Sequence, residues 1–304
     1  MYFQILCLLA GLLISCSGNQ VGFSDASTSS SKATDSTSAR SGSASSDVSA
    51  GNLQVLATSE ASHDHDVSVV LGIASIDLHK QGGDFVNISS TEQLIDLAQY
   101  QNGVMDSLAQ ANIEAGTYDA IKVTLSLASV TLDNGDEMSV DFATAADDPQ
   151  FKEDHPSNVF FLRLEKPLAI TSDAVSHLLI KVADLIPPVP EGHMVERFHM
   201  MPKAHAIDLD QTGSVSGSVS FTSADSSASN VSIEGVFVAV TSHGRKLGTT
   251  RTDSSGKYKI TGLPAGTYEV LAHKENYQHS ITKDVVVTVA QDISQDIILT
   301  KKSE

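Results

Sequence analysis

The chain has 304 residues, more than a single compact core usually fills, so about two domains are expected. Its 37 acidic and 19 basic residues give a formal net charge of −18, which argues against nucleic acid and anionic headgroups as partners. The only cysteines are Cys7 and Cys16, so no disulfide framework, zinc–cysteine site or thiol nucleophile can exist downstream. Trp is absent, which counts against an aromatic sugar-stacking platform.

Residues 1–15 read as a signal peptide. The apolar run from Ile5 to Ile14 suits a signal-peptide core and is too short to span a bilayer. It ends in Leu13-Ile14-Ser15-Cys16, which resembles the lipobox of bacterial lipoproteins. That resemblance implies cleavage between Ser15 and Cys16, a diacylglyceryl group on the Cys16 thiol and an acyl chain such as palmitate on its freed amine. Two or three chains anchor stably where one does not. Ser17 after the cysteine implies the outer membrane rather than retention at the inner one. Met1-Tyr2-Phe3-Gln4 carries no Lys or Arg and departs from the lipoprotein pattern there.

Residues 16–50 follow as the lipidated cysteine and a tether rich in Ser, Thr, Ala, Gly and Asp. Such a segment buries too little apolar surface to offset its ordering entropy, so it is expected to be disordered.

Residues 51–210 read as a β-rich, sandwich-like domain with a short helix. Val67–Leu78 is apolar and β-branched, and Ile121–Leu127 alternates as a half-buried strand should. Phe160–Leu164 and Leu178–Val182 repeat the theme. Asp133-Asn134-Gly135-Asp136 reads as a tight hairpin turn. The helical spacing falls in Thr91–Ala111, through Leu94, Ile95, Leu97, Ala98, Val104, Met105 and Leu108, broken at Asn102-Gly103. The run Asp84-Phe85-Val86-Asn87-Ile88, the leucine-rich stretch after it and Ile113-Glu114-Ala115-Gly116-Thr117-Tyr118 resemble domain-of-unknown-function family 4382. That family implies display beyond the cytoplasm and no established chemistry.

Residues 213–301 make a second unit. Its motifs are Gly213–Ser220, Gly235–Val240, Thr250–Tyr258 with Asp253 and Gly256 at a turn, and Gly262-Leu263-Pro264-Ala265-Gly266-Thr267-Tyr268. In this order they resemble a carboxypeptidase regulatory-like domain, which implies a seven-stranded Ig- or transthyretin-like β-sandwich. Asp210-Gln211-Thr212 is the expected junction, and the unit is expected to fold alone.

Two clusters could hold metal. His63-Asp64-His65-Asp66 places His63 and His65 on one face of an extended segment, where two imidazoles suit zinc, copper or nickel and a third ligand such as His79 would complete the set. His193, Met194, His199, Met200, Met201 and His205 mix imidazole and thioether and would suit copper. No nucleophile elbow, Walker loop, zinc-protease motif or Rossmann fingerprint appears, so no enzyme activity is expected.

The expected protein is therefore mainly β, non-catalytic and held in the cell envelope by lipid on Cys16, with no other cofactor. It displays two β domains to an envelope protein or a polysaccharide. The alternatives are an extracytoplasmic metal-binding protein using His63 and His65, and a polysaccharide-binding accessory protein.

Overall fold

The computed structural model describes residues 49–61, 68–131, 135–142, 158–183, 198–200, 203–221 and 231–302. They form twenty strands and two short 3-10 turns. Eleven strands make the first domain: β1 (Ala50–Ser59), β2 (Ser68–Lys80), β3 (Phe85–Ser89), β4 (Gln93–Asp96), β5 (Asp106–Glu114), β6 (Gly116–Thr131), β7 (Glu137–Phe142), β8 (Val159–Ile170), β9 (Val175–Ala183), β10 (Phe198–Met200) and β11 (Lys203–Asp208). They join one continuous sheet in the order β10-β7-β6-β8-β11-β9-β1-β5, with β2 on the other edge of β6 and β3 and β4 on β2. The sheet curls, so β5 returns alongside β3 around a core that includes Leu53, Val55, Leu78, Tyr118, Ile121 and Leu178.

The alternation expected over Ile121–Leu127 holds as far as Leu125. Opposite Gly72 and Ile73 the β2–β6 register shifts, Leu127 turns out to 40 % exposure, and Ala128 and Val130 resume the buried face. An extra residue at a bulge reverses which face later side chains take. At the C-terminal end of β6, β7 folds back as an antiparallel partner, with Gly135 at φ +86 in the connection. Asp133 and Asn134 of the expected turn lie outside the described residues.

The helical expectation over Thr91–Ala111 is corrected. β4 and β5 take up its two ends, and the helical character is confined to one 3-10 turn, Leu97–Tyr100. The helical spacing does not mark one buried face: Ile95, Leu97 and Leu108 are buried, but Leu94, Val104 and Met105 are exposed. Pairing decided the outcome. β4 adds to β2 and β5 to β1, and Gln93 donates to the Leu108 carbonyl at 2.8 Å.

The second domain has β12 (Thr212–Phe221), β13 (Val231–Ser232), β14 (Phe237–Ser242), β15 (Arg245–Arg251), β16 (Lys257–Pro264), β17 (Gly266–His273), β18 (Ser280–Val287), β19 (Asp292–Ser294) and β20 (Ile297–Leu299). One sheet is built around β12, with β16 on one side and β19 and β20 on the other; the second runs β15-β14-β17-β18. Both β19 and β20 run parallel to β12, so they are one strand interrupted at Gln295-Asp296. With the two-residue β13 set aside, the described residues of this domain form seven principal strands. The interruption stays bonded: Gln295 N donates to Ser216 O at 2.7 Å, and Ser218 N and Oγ donate to Asp296 Oδ1, each at 2.8 Å. Val215, Val236, Val238, Tyr258, Leu263 and Val270 lead a core separate from that of the first domain.

Both domains repeat one corner. Ala115-Gly116-Thr117-Tyr118 and Ala265-Gly266-Thr267-Tyr268 each carry the chain into a new strand. In each, the tyrosine hydroxyl donates to the carbonyl four residues back, Tyr118 to Glu114 and Tyr268 to Pro264, both at 2.7 Å. Burial raises both phenol pKa values above 10.0, so the hydroxyls stay protonated and able to donate. Tyr118→Phe and Tyr268→Phe should each cost about 1–2 kcal/mol in urea unfolding, because a carbonyl loses its partner. Tyr100→Phe, whose hydroxyl meets Asp106 at the surface, should stay within about 0.5 kcal/mol. Equal effects at all three positions would contradict this account.

Candidate functional site

The second sandwich has two strand edges facing the first domain, β15 and β16. An uncovered edge leaves backbone groups unbonded and invites association with other chains. Here the first domain supplies the missing partners. Just past β1, Ala61 N donates to Thr249 O at 3.4 Å and Thr249 Oγ1 donates to Ala61 O at 2.8 Å. From β9, Lys181 Nζ reaches Leu247 O at 2.9 Å and Glu60 Oε1 at 3.1 Å, with its side chain only 3 % exposed. On β16, Asn102 Oδ1 accepts from Lys259 N at 2.6 Å and Asn102 Nδ2 donates to Lys257 O at 3.2 Å. One carboxamide thus satisfies the donor and acceptor that a neighbouring strand would otherwise engage.

The local chain explains how Asn102 reaches. It sits at φ 57 and Gly103 at φ 77, successive left-handed residues that turn the loop after the 3-10 segment. A Cβ on Gly103 would lie 2.8 Å from Lys259 Cγ, so glycine also permits the close approach. The sequence signal was the Asn-Gly pair, read only as a helix interruption. Lys181, inside the strand run Leu178–Val182, gives no local sign of its role.

Beside this junction lies a cleft of about 110 Å3. Its lining includes Ile207 and Pro264 as apolar surface and Arg163, Lys166, Arg245 and His205 as basic or titratable groups. Arg245 pairs with Glu165 at 3.2 Å across the two domains, with both side chains largely exposed. Asp208, also in the lining, has its carboxyl pushed above its ordinary 3.8 by burial and then by the charge of Asp210. Asp292, on the far side of β12, is also pushed up by burial. Hydrogen bonds from Lys259, Ser214 and Ser216 outweigh that push, so its pKa falls below 3.8.

These opposite shifts predict opposite pH effects. A raised native pKa favours folding below the unfolded value and loses that benefit as pH rises through the native one. Asp208→Asn keeps the cap on the Leu209–Gln211 turn, so it should leave stability at pH 7 unchanged or higher, a gain that disappears below about pH 4. A lowered native pKa favours folding above the unfolded value, so Asp292→Asn should destabilise at pH 7 and lose its effect as pH falls through the native value. Urea midpoints at pH 7 and in acid check both; the same sign for the two variants at pH 7 would contradict the assignment.

Two histidine–aspartate pairs stand elsewhere. His79 Nδ1 lies 2.6 Å from Asp119 Oδ1 and packs on the Phe85 ring. His177 Nδ1 lies 2.8 Å from Asp210 Oδ1, while its backbone N–H donates to Asp210 Oδ2 at 2.9 Å. Among the described residues no hydroxyl or thiol bonds to the other nitrogen of His177.

Ser15, Cys16, His63 and His65 lie outside the described residues, as do His193, Met194 and Met201. His199 and Met200 fall on β10, and His205 on β11 lines the cleft. Among the described residues no group of three or more His, Cys, Asp and Glu side chains is placed to hold a metal ion, and no helix is long and apolar enough to cross a membrane.

No curated protein matches the sequence. Among solved structures, a chain of a type II cohesin–X-dockerin complex from Acetivibrio cellulolyticus matches at 24 % identity with a TM-score of 0.23, covering 29 % of this chain and 58 % of that one. This chain therefore spans little more than half the length of that relative. The minor pilin of Streptococcus agalactiae matches at 11 % identity over 83 % of this chain and 97 % of its own, TM-score 0.25. The shaft pilin of Lactobacillus rhamnosus GG matches at 9 % over 84 % and 99 %, TM-score 0.23. Family models match twice: residues 50–195 fit the domain of unknown function DUF4382, and residues 214–300 fit the carboxypeptidase regulatory-like domain. The chain is thus similar to DUF4382 over its first described domain and to the carboxypeptidase regulatory-like domain over its second, in that order.

Proposed function

We propose that this protein is a lipid-anchored, non-catalytic binding protein of the cell envelope, held in the outer membrane through Cys16, which presents its two β domains as one rigid body. The observation that carries the rigid-body reading is the sealed junction, where Ala61, Asn102 and Lys181 of one domain complete the edges of the other. Free tandem domains joined by a linker share few such bonds. A fixed relative orientation lowers the ordering cost of binding a large or repetitive partner. The anchor rests on Leu13-Ile14-Ser15-Cys16 behind the apolar run from Ile5.

Mass spectrometry of the amino-terminal peptide from host membranes should find Cys16 at the mature terminus with acyl chains on its thiol and amine. Cys16→Ala should move the protein out of the membrane fraction. A mature terminus elsewhere, without lipid, would overturn the anchor.

A further inference from the structure

The outer face of the first domain carries an uncharged polar grid. Leu53 and Val55 of β1 turn into the core, so Asn52 and Gln54 between and beside them point outward. The register sets Asn112 opposite Asn52 and Gln110 opposite Gln54 on β5. On the other side β9 sets Val175 beside Asn52 and His177 beside Gln54. These six side chains border an open groove of about 570 Å3, within the roughly 300–1,000 Å3 usual for ligand sites. No Asp, Glu, Lys or Arg lines it, although the chain carries a net charge of −18.

Most of the grid's hydrogen-bonding capacity is unused. Asn112 Nδ2 donates to Asn52 Oδ1 at 3.0 Å and Gln54 Nε2 donates to Ser107 Oγ at 3.3 Å. The Gln110 carboxamide has no hydrogen-bond partner among the described residues. Each carboxamide offers two N–H donors and a carbonyl acceptor. The bond from His177 Nδ1 to Asp210 orients the imidazole and leaves its second nitrogen for a ligand. Val175, 48 % exposed, adds an apolar patch at one end.

We propose that this grid binds a neutral polysaccharide segment. Sugar hydroxyls both donate and accept, as carboxamides do, and an uncharged pair costs less to desolvate than a charged one. Alternate residues on one strand face stand about 6.6–6.8 Å apart and neighbouring strands about 4.8 Å apart, so the two carboxamide rows span a sugar ring and its neighbour. The chain's acidity disfavours anionic glycans and nucleic acid at the same place. With no Phe, Tyr or Trp in the lining, recognition is by hydrogen bonds, and affinity comes from several grids meeting a repeating chain. The proposal rests on reading the chain as a binding protein and gives that reading a site.

The test is electrophoresis of the full chain through native gels containing soluble neutral glucans, mannans, xylans or galactans, with polygalacturonate as the anionic control. At least one neutral polymer should retard the wild type, and polygalacturonate should not. Asn52→Ala/Gln110→Ala should weaken the retardation at least five-fold with an unchanged melting temperature, and Gln54→Ala/Asn112→Ala is the second variant should the first melt early. No retardation by any neutral polymer, retardation unchanged in both variants, or retardation by polygalacturonate alone would overturn the proposal. So would loss of a wild-type dimer in the variants by sedimentation without a change in glycan binding, because the grid would then be a contact between copies. If Cys16 is acylated and no glycan binds, this proposal fails and the anchor stands; if glycan binds and Cys16 carries no lipid, the anchor fails and the grid stands.

Discussion

Lys181→Ala should lower the unfolding free energy by about 3–5 kcal/mol, because it strands a carboxylate and a carbonyl that the lysine alone joins. The ammonium sits between Glu60 Oε1 and Leu247 O, with the two side chains of the ion pair 3 % and 14 % exposed. The carbon stem also packs near Gly262 of β16, where a Cβ would lie 3.2 Å from Lys181 Cδ. Removing one member of a buried pair leaves the other uncompensated, whereas removing both can come close to neutral. Lys181→Met with Glu60→Leu should therefore recover most of the loss. Calorimetry should also show a single wild-type transition separating into two in Lys181→Ala, as the junction that couples the domains weakens. A loss below about 1 kcal/mol, with a single transition kept, would show that water reaches the pair and that the junction rests on the backbone bonds at Ala61 and Asn102.

Gly217→Ala should cost about 3 kcal/mol or more and act on the second domain. Gly217 lies in mid-β12 opposite Tyr258, next to the break between β19 and β20. A Cβ there would overlap the Gln295 carbonyl oxygen, lie 2.6 Å from its carbon and stand 3.1 Å from Tyr258 Cε1. Gln295 cannot retreat freely. Its N–H is bonded to Ser216 O at 2.7 Å and its carbonyl accepts from Tyr258 Oη at 2.6 Å. Burial raises the Tyr258 pKa well above its ordinary 10.0, so that hydroxyl remains a donor at any ordinary pH. Gly83→Ala is the control, because the added Cβ there meets only ordinary contacts with Lys80. Thermal unfolding of the two variants should differ by several degrees. A Gly217→Ala melting curve within one degree of wild type would mean that the strand break is plastic.

Much of the architecture follows from short-range pattern. The strand runs at Ser68–Leu78, Ile121–Leu127 and Leu178–Val182 are β because β-branched and alternating residues suit a pleated, half-buried surface. The turn residues of the second unit were equally legible: Asp253 Oδ1 accepts from Ser255 N and Lys257 N and Gly256 sits at φ +74, as a tight turn before β16 requires. The order of such motifs resembles the two families whose models match residues 50–195 and 214–300.

What sequence could not decide was partnership across long separations. The helical spacing over Thr91–Ala111 yielded to strand pairing with β1 and β2, because local preference is worth tenths of a kcal/mol per residue and a completed ladder with its buried side chains is worth more. The carboxamide grid joins Asn52 and Gln54 to Gln110 and Asn112, nearly sixty residues on, and only the β1–β5 register makes them neighbours. The junction depends on Lys181 meeting Glu60 and on Asn102 meeting Lys257 and Lys259, over 150 residues apart, and no local spacing announces either. Composition and alternation thus determined that the chain is two β domains. Tertiary structure alone decided how their edges are closed and which polar side chains stand together, because those bonds depend on distances that chain folding creates.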